Sequence, residues 1–188
     1  MVLLLVVEAL LVVGVARRTG CTVDEPQYLN GAHVILRHGW AHERTVLQGP
    51  LALYANQLFV GEFPAGGFTN AAEGAEELLT RARLGTLLFV LPGTWLVYAW
   101  SRRLFGDLGG LLSLLFLVLN PLWLAYAGTA LVDAQHACML LLALYALARQ
   151  LERPGYGRLA LFAAAGAAAV ATKYLALVLL GPAGLLAL

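Results

Sequence analysis

Charge is scarce in this sequence. Asp, Glu, Lys and Arg make up 12% of its 188 residues, where soluble domains carry about 25%. Acids and bases nearly cancel to a net charge of +1, so the chain lacks the basic face that nucleic-acid binding needs. Cysteine is nearly absent. Cys138 lies inside an apolar run and Cys21 at the edge of one, which leaves no disulfide framework and no metal-type Cys/His spacing. No basic residue precedes the first apolar run, so the start of the chain is a poor signal peptide. Arg18-Thr19-Gly20-Cys21 ends like a lipoprotein cleavage site, but its arginine is wrong for one. Strict alternation of apolar and polar residues is missing too, and with it a membrane barrel.

What the chain does have is apolar surface, at 61% of residues. Apolar runs fall at 1–16, 84–101, 108–127, 134–149, 157–172 and 174–188. A bilayer core takes about 20 apolar residues per helix, and backbone groups in lipid must pair within their own segment. The runs therefore predict an all-α, polytopic membrane bundle of about six spans. Glu8 sits inside the first run. An ionisable group there costs about 2.5–3.5 kcal/mol on insertion scales, so Glu8 should face a neighbouring helix. Pro92-Gly93, Asn120-Pro121 and Gly181-Pro182 punctuate the runs.

Residues 17–83 form one long polar insert. Within it Tyr28, Leu29, Ala32, Ile35 and Leu36 recur at helical spacing, with Gln27, Asn30, His33 and Arg37 on the other side. Pro26 suits a first helical turn, and the pattern predicts a helix lying in the membrane interface. Residues 51–60 predict a second short helix, with Tyr54 and Phe59 as interface anchors. Arg102 and Arg103 follow the second run, and Arg149, Arg153 and Arg158 follow the fourth. By the positive-inside rule these two loops are cytoplasmic. The insert, the 128–133 turn and the 172–173 turn then share the opposite, non-cytoplasmic face, together with Asp24, Glu25, Asp133 and Lys173.

Each of these residues has an ordinary structural reading. Asp24 and Glu25 can cap the interfacial helix and Asp133 the fourth span. Lys173 can snorkel, and Arg83 can anchor the start of the second span. Taken together, an acid pair, another acid and a cation on one face suit a reaction on a phosphorylated substrate. A carboxylate can take the proton of an attacking hydroxyl, and a cation can hold a phosphate leaving group.

The chain resembles the GT-C membrane glycosyltransferases, in the branch of the protein O-mannosyltransferases and lipid A aminoarabinose transferases. The resemblance rests on Asp24-Glu25 with Tyr28 after the first span, Gln48-Gly49-Pro50-Leu51, and Arg83 with Arg102-Arg103-Leu104-Phe105-Gly106 around the second span. Asn120-Pro121 with Thr129 to Asp133, and Ala171-Thr172-Lys173-Tyr174, complete it. It covers nearly the whole chain as a single module, 1–188, with residues 17–83 as its first non-cytoplasmic loop. It implies inverting transfer of a sugar from a polyprenyl-phosphate donor to a protein, lipid or glycan hydroxyl, in a multi-pass protein of the plasma membrane. It implies Asp24 as general base with Glu25 positioning it. Lys173 would hold the donor phosphate, with Arg83 supporting it or balancing charge. Asp133 would line the same cavity, orienting partners or helping to hold a divalent cation.

Two departures accompany the resemblance. Gln48-Gly49 lacks the charged or imidazole side chain that the family places before its proline, so that contact is lost or relocated; His42, Glu43 and Arg44 stand nearby but out of register. The chain is also short and is expected to be the N-terminal part of a longer protein. The competing expectation is a non-catalytic membrane module or transporter fragment. Geometry separates the two, because the enzyme reading weakens sharply if Asp24 and Lys173 do not open onto one shared cavity.

Overall fold

The computed structural model describes residues 1–39, 48–64, 66–69 and 74–185. The described residues form helices and connecting turns. They are α1 (Val2–Arg18), α2 (Glu25–His38), α3 (Pro50–Gln57), α4 (Ala75–Leu84), α5 (Leu87–Val118), α6 (Pro121–Ala127), α7 (Asp133–Glu152), α8 (Tyr156–Thr172) and α9 (Leu175–Leu185). The all-α expectation holds. One stretch among the described residues, 75–118, is long and apolar enough to cross a membrane. The expectation of about six spans is not confirmed on that measure. At 1.5 Å per residue, α1 and α8, with 17 residues each, reach about 26 Å, short of a hydrocarbon core of about 30 Å.

Gly106 breaks α5 (φ 75°, ψ −176°), a conformation that only glycine adopts without strain. A Cβ on Gly110 would stand 2.7 Å from the Cβ of Arg102. Residues eight apart in a continuous helix lie about 12 Å apart, so the chain turns back at Gly106 and α5 is two arms. The sequence runs 84–101 and 108–127 correspond to these arms. Gly110, Leu114 and Val118 bury one stripe of the second arm, and Leu108, Leu112 and Phe116 are left exposed.

Small residues set the packing elsewhere. Ala143, Ala165, Ala169, Ala176 and Leu180 make one cluster across α7, α8 and α9, and small side chains let helices approach closely. Val12, Val90, Ala127 and Ala134 tie α1, α5, α6 and α7 together. Asn120 caps α6 by accepting from the Leu122 and Trp123 N–H groups at 2.9 and 3.2 Å, with Pro121 in the first turn. Pro154, which cannot continue a helix, follows α7.

The insert is pinned by amide side chains bonded to backbone. Asn30 brackets Phe68, Gln57 Nε2 donates to the Leu29 carbonyl at 2.9 Å, and Asn56 Nδ2 donates to the Ala130 carbonyl at 2.9 Å. Helix α2 buries Leu29, Ala32 and Ile35 as its periodicity predicts, but Leu36 is 55% exposed. Helix α3 is shorter than the predicted 51–60: it ends at Gln57, and residues 58–60 form a turn.

Helix α7 separates two ends of the bundle. Its first residue, Asp133, belongs to the insert side. Its last, Glu152, pairs with Arg103 and Arg149. The arginine-bearing loops after Trp100 and Leu151 therefore lie together, about 30 Å along α7 from Asp133.

Candidate active site

Lys173 follows the last residue of α8 in extended conformation (φ −154°, ψ 125°). Its Nζ donates to Asp133 Oδ1 at 2.8 Å, with the Lys side chain 28% and the Asp side chain 44% exposed. The N-cap of α7 is Val132, so Asp133 does not cap it. Its charge suits the first turn all the same. One turn on, His136 Nδ1 lies 3.2 Å from Thr172 Oγ1. Thr172 spends its own proton on the Ala169 carbonyl at 2.7 Å, so the imidazole proton sits on Nδ1. Nε2 remains a buried acceptor with no partner among the described residues. This link fixes the end of α8 against α7 and sets where Lys173 starts.

The adjacent acids have separate fates. Asp24 stands at the start of α2, exposed, and its side chain makes no capping bond. Glu25 is fully buried. Arg83 Nε and Nη2 donate to its two oxygens at 2.8 and 2.7 Å. The Thr22 and Ala130 N–H groups add bonds of 2.9 and 2.7 Å. Burial alone would raise the Glu25 carboxyl, but the Arg83 guanidinium and the backbone donors outweigh it and hold it below its ordinary value. Arg83 also donates to the carbonyls of Ala16, Thr19 and Gly20, closing the end of α1. All five guanidinium N–H groups are thereby used within the chain, leaving none for a phosphate in this conformation.

Tyr28, one turn after Asp24, links the two regions. Burial raises its phenol, the Asp24 charge raises it further, and the fields of Asp133 and Lys173 reach it as well. The Gln48 side chain acts against that rise, and Gln48 Oε1 is buried without a partner among the described residues. Gly49 N donates to the Thr172 carbonyl at 3.2 Å. A Cβ on Gly49 would meet the Ala171 oxygen at 2.2 Å, so this approach requires glycine. Gln48-Gly49-Pro50 therefore packs on Ala171-Thr172, next to Lys173, despite its neutral side chain. His42, Glu43 and Arg44 lie outside the described residues.

Asp133 also lines a cavity of about 390 Å³ beside α6, which neither Asp24 nor Lys173 lines. That cavity is not the shared one expected of the two. Among the described residues no three His, Cys, Asp or Glu side chains form a metal-holding group. Glu8 is fully buried, as its place in an apolar run predicts, and its Oε1 accepts from Thr94 Oγ1 and Trp123 Nε1, each at 2.8 Å.

Sequence reasoning missed one signal. Lys173 is the only lysine in the chain. It also missed that Arg83 and Glu25 are partners.

The sequence model of the dolichyl-phosphate-mannose-protein mannosyltransferases matches residues 75–188, more than half of the chain. No curated protein and no solved structure matches it. The match contains Arg83, Asp133 and Lys173; Asp24 and Glu25 precede it.

Proposed function

This chain belongs to the dolichyl-phosphate-mannose-protein mannosyltransferase family, and from that premise we propose that it moves a sugar from a polyprenyl-phosphate carrier to a hydroxyl of a protein, lipid or glycan. The work is done at the non-cytoplasmic face of a multi-pass bundle in the plasma membrane. The apolar residues left uncovered on the second arm of α5 support a lipid surround. So does the gathering of the arginine-bearing loops at the end away from Asp133.

Asp24 takes the proton of the acceptor hydroxyl. The acceptor oxygen attacks the anomeric carbon from the side opposite the phosphate. The bond from that carbon to the phosphate oxygen breaks, the electron pair stays on the phosphate, and the configuration inverts. Lys173 Nζ faces the charge that builds on the leaving phosphate, exchanging its resting partner Asp133 for it. Glu25 and Arg83 hold the start of α2 and the 128–132 turn in place through the Ala130 N–H bond.

The observation that carries the reading is the Lys173–Asp133 pair, partly open and at the same end of the bundle as the uncapped carboxylate of Asp24. Asp24→Asn tests it with dolichyl-phosphate mannose as donor. Loss of a general base should lower turnover about 10²–10⁴-fold with helix content unchanged by circular dichroism. Normal turnover in a folded Asp24→Asn protein would remove Asp24 as base.

A further inference from the structure

The cavity beside Asp133 has a chemistry of its own. Helix α6 contributes Trp123 and Tyr126, three residues apart and so on one helix face. Asn120 stands at its start, and Ala134 and Ala137 of α7 keep the opposite wall shallow. Asn120 has spent its oxygen on the α6 cap, which leaves its amide N–H groups as donors. Asp133 gives Oδ1 to Lys173 and keeps Oδ2 as an acceptor. The Trp123 indole N–H is turned away to Glu8, so the ring is fixed and offers carbon surface to the cavity.

An isoprenoid chain would suit Leu117 and Leu122, which also line the cavity, but would need neither the amide nor the carboxylate, and no cation lines the cavity for a phosphate. A pyranose ring matches all four groups, with an apolar C–H face for the aromatic rings and hydroxyls for Asn120 and Asp133. We propose that this cavity seats the hexopyranose of the carrier-linked donor, with Trp123 and Tyr126 against the ring and Glu8 as the positioning residue that holds the indole. The inference rests on Lys173 holding the donor phosphate, because a sugar one bond from that phosphate falls beside Asp133, the ion-pair partner of Lys173.

The test compares affinities of the purified chain in lipid nanodiscs for dolichyl-phosphate mannose and for dolichyl phosphate. The native chain should prefer the mannose lipid. Trp123→Ala should weaken the mannose lipid about tenfold, the range of an aromatic contact, and the bare phosphate little, so the preference collapses. Tyr126→Ala, at an exposed ring, should move the ratio the same way without the burden of a buried change. Glu8→Gln keeps an oxygen for the indole and should retain the preference, whereas Glu8→Leu should lose it. Lys173→Ala should weaken both lipids alike. Equal weakening of both lipids by Trp123→Ala and Tyr126→Ala, or an unchanged ratio, would overturn the sugar site while leaving the phosphate reading intact. A native chain that binds neither lipid would overturn the phosphate reading and this subsite with it.

Discussion

Two acid–cation pairs stand at the same end of this bundle, and they are built to opposite specifications. Glu25–Arg83 is dry: its side chains are 0% and 1% exposed, the pair is bidentate, and every guanidinium N–H has an acceptor. Lys173–Asp133 is a single contact at 2.8 Å between half-open side chains. A saturated buried pair cannot take a new ligand without breaking, and breaking it leaves an uncompensated charge. A partly exposed pair is worth about 0–1 kcal/mol and can exchange partners at little cost. Exposure and saturation thus separate a structural pair from one available for chemistry, where residue type alone does not.

The sharpest way to break the comparison is to cut the dry pair. Glu25→Ala or Arg83→Ala should cost about 3–5 kcal/mol of stability, read as a lowered unfolding midpoint in detergent. The two single changes should be strongly non-additive in the double variant, because they share one interaction. If Arg83→Ala unfolds like the native chain, the buried pair is not the staple that joins α1, α2, α4 and the 128–132 turn.

Acid should act on the same pair. The Glu25 carboxyl lies below its ordinary value in the folded chain. Its contribution is therefore fully present above the unfolded value of about 4.3, and it is lost as pH falls through the depressed folded value. Stability should decline below about pH 4, and Glu25→Gln should flatten that limb. An identical acid limb in Glu25→Gln would assign it to other groups.

A smaller effect is expected where the insert meets α8. Gly49→Ala places a methyl 2.2 Å from the Ala171 oxygen, and relief must come from moving backbone, at about 1–3 kcal/mol by analogy with overpacked cores. Because Gly49 binds the Thr172 carbonyl next to Lys173, donor affinity should fall with the stability. A Gly49→Ala chain with native stability and native donor affinity would detach the insert from the site.

Periodicity and charge placement carried much of this into view. The buried face of α2, the partner-facing position of Glu8 and the shared end of Asp133 and Lys173 all follow from local rules of period and loop charge. Leu36 escaped because the apolar stripe is narrower than its sequence pattern. The partnership of Glu25 with Arg83 joins residues 58 apart in sequence, and no local pattern encodes it. The same holds for the Ala130 N–H, a backbone donor invisible to residue type. The count of about six spans is not confirmed by length for a different reason: hydropathy marks apolar runs, while the helices that form on them stop at caps, as α1 and α8 do at 17 residues each.

The smallest expected change in stability carries the largest expected separation between stability and function. Lys173→Ala removes a single half-exposed contact, so the unfolding midpoint should move by no more than about 1 kcal/mol. Donor affinity should nevertheless fall at least about tenfold, since a charged partner of a phosphate is worth more than about 1.4 kcal/mol. Lys173→Arg keeps the charge but changes its geometry, and should recover only part of the loss. The result that would sink the comparison is a Lys173→Ala chain destabilised as severely as Arg83→Ala. Both pairs would then be structural, and the open geometry of Asp133 and Lys173 would have no bearing on the donor.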